Sequence, residues 1–422
     1  MMRADQPQSW FRLPFTRPRF ERDRPAHEPE QTEPTPHPSR EGNCGFGAPL
    51  LGGTGGGFLG SICGEIVPDS FPRRGEAVAG KGLVGSWCRG MGSPLARGLG
   101  VALILIASVG TVRADELFGR PREAIPEELE SVYLKGMKYL ATTQQTGGSW
   151  TDGYGSQPGV VGLAVLAWLA HGDDPNFGPY AAQIRSGLDF ILRNANRETG
   201  YIGNTMYNHG FATLALAEAY GAVDDPRLGP ALQRAVDLIL TSQAHNGQGA
   251  WRYGPESSDA DTTVSGAQLV ALFAARNAGI QVPDEAIDKA LKFFAHCSSP
   301  GGGFGYTDSG GPNNPRTAIG ILAYALARKK DQSACREALQ FLRHDPLRDD
   351  GYPFYFHYYA SQALFQADVP AWTAWNVQFL RQLARSQNPD GSWDGNQGKV
   401  FSTAGGLLSL ALNYRFLPIY ER

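Results

Sequence analysis

The chain has 422 residues, with 38 Lys and Arg set against 41 Asp and Glu, and 42% of its side chains are hydrophobic. Nucleic acid or an anionic membrane surface favours a clustered basic excess; this near-neutral balance excludes nucleic acid as the expected partner. The length allows more than one domain, but composition confines folding to roughly the last 300 residues.

Residues 1–90 carry RPRFERDRPAHEPEQTEPTPHPSR (17–40), rich in Pro and charge, and LLGGTGGGFLG (50–60), rich in Gly. Neither buries enough apolar surface to offset chain entropy, so this stretch is expected to be disordered. From Met91 the chain reads MGSPLARGLGVALILIASVGTVRADE. Arg97 forms a short basic start, Leu99 to Val109 an apolar stretch, and Val112-Arg113-Ala114 a cleavage-like site, the pattern of a signal peptide over 91–114. A signal peptide does not normally begin ninety residues in, so 1–90 reads as an over-extended gene start. Export to the periplasm or the extracellular space follows; the rival is a membrane anchor through 98–112, although that run falls short of the ~20 residues a spanning helix needs.

The folded part, expected over 115–422, repeats itself six times. Amphipathic helix patterns begin near Gly136, Ser186, Ala235, Ala290, Ala338 and Phe379, at spacings of 50, 49, 55, 48 and 41 residues. Each passes a Gly-rich loop: GGSW (147–150), TGYIG (199–203), GQGAW (247–251), GGGFGY (301–306), DGYPF (350–354) and DGSW (390–393). A second helix follows that is almost free of charge, from GLAVLAWLA (162–170) to STAGGLLSLAL (402–412), with Glu218 the only charge in the six. A helix apolar all round must be buried on all sides, whereas an amphipathic one faces water on one side. The expected fold is therefore all-α: an α6/α6 toroid of six helix hairpins, with apolar inner helices and amphipathic outer ones. Cys297 ends one outer helix and Cys335 begins the next, about ten positions apart in repeat register. At ~1.5 Å per residue that is too far for a disulfide.

KGMKYLATTQQTGGSW (135–150) resembles the QW repeat of squalene and oxidosqualene cyclases, and RAVDLILTSQAHNGQGAW (234–251) and FLRQLARSQNPDGSW (379–393) are looser copies. The resemblance spans about 285 residues and points to the terpenoid cyclase and protein prenyltransferase superfamily. YNHGFATLALAEAYG (207–221) and the closing TAGGLLSLALNYRFLPIYER (403–422) look like an exported bacterial branch of it. The motif implies a structural role for Gln144, Trp150, Gln243, Trp251, Gln387 and Trp393. Each Gln ends an outer helix, where carbonyls lack donors, and the Trp is expected to stack on it and receive a hydrogen bond.

All six inner helices should start at one mouth, where their dipoles point positive ends to one rim. SDADTTVSG (258–266) lies there. Class II terpene cyclases carry Asp-x-Asp-Asp-Thr at that point, with the middle Asp protonating an alkene or epoxide, chemistry that needs a protonated, strongly acidic carboxyl. Here Asp259 and Asp261 are kept and Thr262 replaces the third Asp. The resemblance thus makes Asp261 the candidate catalytic acid; the residues alone equally make it a helix N-cap. Tyr207, Asn208 and His209 are expected at the next mouth position, and His357, Tyr358 and Tyr359 at another, forming with Asp259 and Thr262 a polar cup. Alternatively Asn208 caps its helix and the histidines bond loop carbonyls. Prenyltransferase-like zinc would need Cys at an inner-helix start, which neither Cys297 nor Cys335 provides, so no metal is expected, and no cofactor. No Ser nucleophile elbow, HExxH helix or thioester motif occurs, and GGTGGG (52–57) has no flanking strand. The expected function is an exported toroid, a monomer, binding an isoprenoid or other apolar ligand in its central cavity, with peripheral membrane contact left open. The alternatives are a non-catalytic protein- or peptide-binding scaffold and a carbohydrate-active α6/α6 lyase or hydrolase.

Overall fold

The computed structural model describes residues 125–420. The segments read above as disordered and as a signal peptide lie outside the described residues. Among the described residues twelve α-helices follow one another: α1 (Glu127–Thr143), α2 (Pro158–His171), α3 (Ala181–Arg193), α4 (Met206–Ala219), α5 (Leu228–His245), α6 (Thr262–Asn277), α7 (Asp284–His296), α8 (Asn314–Leu326), α9 (Ser333–His344), α10 (Pro353–Ala367), α11 (Val369–Ser386) and α12 (Lys399–Leu410). Two short 3₁₀ turns follow, Ala411–Asn413 and Pro418–Tyr420. Among the described residues the only β-pairing is isolated bridges, such as Phe304 with Asn313.

The even-numbered helices form the inner ring. Each packs on the next, and α12 packs back on α2, so the ring closes. Burial follows the charge pattern. Every residue of α2 from Pro158 to Ala170 is buried, as are all but Thr263 of α6 from Thr262 to Ala275. The outer α9 buries only Cys335, Ala338, Leu339 and Leu342, a single stripe. This is the α/α toroid that the alternation of apolar and amphipathic helices predicts.

The QW residues fasten neighbouring outer helices, by a different bond from the one expected. The indole N–H donates rather than receives: Trp150 to Leu140 O (3.1 Å), Trp251 to Ile239 O (2.8 Å) and Trp393 to Leu383 O (3.0 Å). Each thereby satisfies a carbonyl near the end of its own outer helix. The glutamine amides bridge instead. Gln144 donates to Gly148 O and to Gln183 O of α3, Gln243 to Gly249 O and to Ala286 O of α7, and Gln387 to Gly391 O and to Val132 O of α1. The last of these closes the ring. At that seam Gly391 has φ +92°, and a Cβ there would stand 2.3 Å from Lys135 O, so only glycine fits.

The end opposite the mouth is crossed by residues 411–420. Tyr414 Oη donates to Glu130 Oε2 of α1 (2.7 Å), Asn277 Nδ2 at the end of α6 donates to Pro418 O (3.3 Å), and Gln366 Nε2 of α10 to Ile419 O (3.4 Å). Leu417, Ile419 and Tyr420 are buried by these contacts. Cys297 and Cys335 are free and buried, as expected, and burial pushes both thiols up to about 12.

Candidate functional site

The mouth is built around the start of α6. Asp261 has extended backbone (φ −137°) and is the N-cap: its Oδ1 accepts from Thr263 N and Val264 N, both at 2.8 Å. The cap expected from the sequence is therefore present. The same oxygen accepts a third bond from Thr263 Oγ1 (2.5 Å). Oδ2 accepts no hydrogen bond and lies 3.5 Å from Arg252 Nε. The side chain is fully buried, and burial, the largest influence, pushes its carboxyl above the ordinary value, against the bonds from Thr263 and Val264 and the nearby Arg252 charge.

Arg252 is the hub of the site. It comes from the loop after Trp251, a loop that Asn246 folds back by donating to Ser257 O and Asp259 O. Its Nη1 pairs with Asp259 Oδ2 at 3.2 Å, so one guanidinium joins both aspartates. Asp259 is 59% exposed at its side chain and faces solvent. The guanidinium lies over the rings of Tyr253 (4.9 Å) and Tyr306 (5.2 Å), whose hydroxyls are hydrogen-bonded to each other. Arg316 lies over Tyr306 at 5.4 Å. Thr262 does not face the mouth as an acid's neighbour: its N–H and Oγ1 donate to Tyr306 O and Gly305 O, both at 2.9 Å, fastening α6 to the next loop.

The remaining candidates divide between mouth and wall. Tyr207 of α4 reaches the site, its hydroxyl 2.5 Å from Thr263 Oγ1. Tyr355 of α10, which sequence reasoning missed, reaches Thr263 O from across the ring at 3.4 Å. Tyr358 and Tyr359 are buried one turn further along α10; Tyr358 meets Phe211 of α4 edge-on at 6.0 Å and Tyr359 meets Tyr355 at 5.1 Å. Asn208 does not cap α4, which Thr205 does. Its Oδ1 instead accepts from Gly159 N in the first turn of α2 (3.1 Å), capping the neighbouring inner helix. His209 turns outward: Nδ1 accepts from Ile202 N (3.1 Å) and Nε2 donates to Ala235 O of α5 (3.0 Å). Burial pushes it down to about 4. His357 also turns outward, against Phe379 of α11 at 4.2 Å; neither ring nitrogen has a hydrogen-bond partner, and burial pushes it down to about 3. Both histidines are therefore wall residues, neutral at ordinary pH, and neither belongs to the cup.

The working cluster is thus Asp259, Asp261, Thr263, Arg252, Tyr207, Tyr253, Tyr306 and Tyr355. Arg252 and Tyr253 follow the QW-type Trp251 directly, and Tyr306 ends GGGFGY, so the one usable signal was the aromatic end of each loop. No group of three or more His, Cys, Asp or Glu among the described residues could hold a metal ion. A separate cavity of about 570 Å³ lies on the outer wall beside α9, lined in part by Glu337, Phe341, His344 and Arg348. Gly301 and Gly302 of the loop before α8 and Asn314 at the start of α8 also line it, but none of the cluster named above does.

A family model described as a domain of unknown function, DUF6288, matches residues 130–338, from α1 into α9. No curated protein matches the chain. Among solved structures, the chain is similar to the α-1,6-mannanase of Salegentibacter sp. HEL1_6, at 10% identity over 67% of this chain and 98% of that one, with a TM-score of 0.53. An inactive variant of that enzyme in complex with α-1,6-mannotetrose matches at 11% identity, 68% and 100% coverage, and a TM-score of 0.52. A type II terpene cyclase from Scytonema, in complex with geranylgeranyl dihydroxybenzoate, matches at 16% identity, 69% and 98% coverage, and a TM-score of 0.48. At these identities the mannanase likeness establishes the α/α toroid and nothing finer, and the cyclase superposition is too loose to add to it.

Proposed function

We propose that this ring binds an isoprenoid or other unsaturated apolar chain at its mouth, and that Asp261 is the group that acts on it. The observation that carries the reading is the division of labour within one carboxyl. Oδ1 is consumed by the helix cap, while Oδ2 is buried, accepts no hydrogen bond and lies 3.5 Å from Arg252 Nε, with Tyr207 and Tyr355 reaching the adjoining Thr263 and with Phe211, Tyr358 and Tyr359 packed further inside the ring. Burial raises the Asp261 carboxyl above its ordinary value, which favours the protonated form that proton donation needs. Transfer from Oδ2 to an alkene carbon would leave a carboxylate beside Arg252 and a carbocation before the tyrosine and phenylalanine faces, which attract positive charge. The cation is discharged by loss of a proton or by addition of water, and Asp261 regains its proton from solvent at the mouth. Phe211 and Tyr358 meet across the lumen, so a bound chain enters by displacing these rings.

The test is to incubate the full chain with squalene and with shorter prenyl diphosphates, alongside Asp261→Asn. Product formed by wild type and lost in the folded Asn variant supports the reading; no binding of any prenyl compound by wild type overturns it. One observation favours a second reading, a carbohydrate at the rim: Asp259 and Asp261 share Arg252 amid partly exposed tyrosines, the polar and aromatic lining that sugars use. Binding of α-1,6-mannan oligosaccharides that Tyr306→Ala abolishes would favour it over the first. Export through 91–114 is part of the proposal, tested by N-terminal sequencing of the mature protein, which should begin at Asp115.

A further inference from the structure

We infer that α9 opens on its own, as a separate leaf of the outer ring, while the other helices stay closed. The inference goes beyond the function proposed above and does not rest on it. Gln144 ties α1 to α3, Gln243 ties α5 to α7, and Gln387 ties α11 to α1, so five of the six outer helices are held by at least one glutamine bridge. Among the described residues α9 is held by none.

The cause on one flank is a single residue. After α7, Ser299 N donates to Gly303 O and Gly302 N to Ser299 O. The turn after α1 makes the same two bonds, Gln145 N to Ser149 O and Gly148 N to Gln145 O, and so does the turn after α11, Asn388 N to Ser392 O and Gly391 N to Asn388 O. Ser298 therefore stands in the register of Gln144 and Gln387, with a side chain too short to reach the next helix. The glycine of each turn marks where a bridge lands. A Cβ at Gly148, Gly391 or Gly302 would run into Ser186 O, Lys135 O or Glu337 O of the next outer helix. The glutamines bond Gln183 O and Val132 O, three residues before the first two, so the unused counterpart is Ala334 O in the first turn of α9. On the other flank nothing lies within 4 Å of a Cβ at Gly351, so the loop after α9 does not abut α11 in this way. That loop is anchored by Asn314 Nδ2, which donates to Asp345 O and Arg348 O, and by Trp375 Nε1, which donates to Pro346 O. Opening is thus confined to the helix itself. Its body is held by the stripe of Cys335, Ala338, Leu339 and Leu342 and by a surface ion pair from Arg343 to Asp368, a kind of pair that adds little. The cavity of about 570 Å³ along Glu337, Phe341 and His344 leaves it room to move. Few buried contacts and exposed flanks are the marks of a segment that opens below the global unfolding energy.

The test uses two buried thiols of the full chain as reporters. Cys335 lies in the first turn of α9 and Cys297 caps α7. A thiol reagent under native conditions, with the labelled peptides located by mass spectrometry, should modify Cys335 at least about tenfold faster than Cys297, at a rate that low urea hardly changes. Amide exchange should quicken from Ala338 to His344 together, which distinguishes opening of the helix from fraying of its first turn. Ser298→Gln should supply the absent bridge and slow labelling of Cys335 about tenfold, the worth of one or two net hydrogen bonds. Ser298→Asn, one methylene shorter, should leave the rate as it is. Equal labelling of Cys335 and Cys297 with equal urea dependence, or an unchanged rate in Ser298→Gln, overturns the inference. Should Ser298→Gln not fold, exchange in wild type carries the test, and amides of α9 that exchange no faster than those of α3 and α7 count against it.

Discussion

Gln387→Ala should loosen the ring at its seam and nowhere else. The Gln387 amide donates to Gly391 O (3.0 Å) in its own loop and to Val132 O (2.9 Å) in α1, a residue 255 positions away. A net 0.5–1.5 kcal/mol per bond gives a loss of about 2 kcal/mol. Gln243→Ala is the internal control, because Gln243 makes the same pair of bonds, to Gly249 O and Ala286 O, both at 2.8 Å. Global stability should fall by a similar amount in both variants. Local opening should differ: amide hydrogen exchange should quicken in α1 and α11 for Gln387→Ala, and in α5 and α7 for Gln243→Ala. Identical exchange maps for the two variants, or no loss of stability in either, would refute the assignment of these glutamines as bridges between neighbouring outer helices.

Trp150→Ala and Trp393→Ala should each cost roughly 3–5 kcal/mol, since both indoles are buried and hydrogen-bonded, while ligand affinity per folded molecule is unchanged. A wild-type melting temperature in either variant contradicts this. Asp261→Asn should retain the stability of wild type because Asn caps as well as Asp, and Asp261→Ala should lose about 1 kcal/mol, measured by urea denaturation. His209 and His357 are neutral in the fold, with values lowered from 6.5 to about 4 and about 3, so the unfolded chain binds the extra protons. Their contribution is complete above pH 6.5 and falls as pH drops towards those folded values, with a slope of about 1.4 kcal/mol per pH unit for each. His357→Phe, which gives up no hydrogen bond, should flatten that slope; an unchanged pH profile would show that its burial is not what lowers acid stability. Residues 115–422 alone should give a monomeric helical domain, and circular dichroism with under half the helix of the twelve segments would count against it.

The toroid was legible because its signal is repeated: six near-chargeless stretches cannot each find a separate core, and within them Glu218 is the only charge. The cap at Asp261 was legible for a local reason, an Asp directly before an apolar helix. The orientation of Asn208, His209 and His357 was not. With the cap of α4 at Thr205, His209 falls in the first turn of the helix on the side that meets α5, a placement that the order of residue types does not reveal. Arg252 was invisible for another reason. It meets Asp259 and Asp261 only because Asn246 draws the intervening loop back on itself, a closure set by backbone carbonyls rather than by any spacing of residue types.

The segment 411–420 is the last piece of the described chain to leave the ribosome, yet it ties α1, α6 and α10 together. Until α12 emerges just before it, α2 lacks its neighbour and both flanks of the unfinished ring expose apolar helix. A solenoid can end anywhere behind a polar terminal repeat. A closed ring has no such stopping point, and removing residues 411–420 would leave all twelve helices while uncovering the end opposite the mouth. Loss of this short segment should therefore weaken the ring as a whole, although it belongs to none of the six helix hairpins.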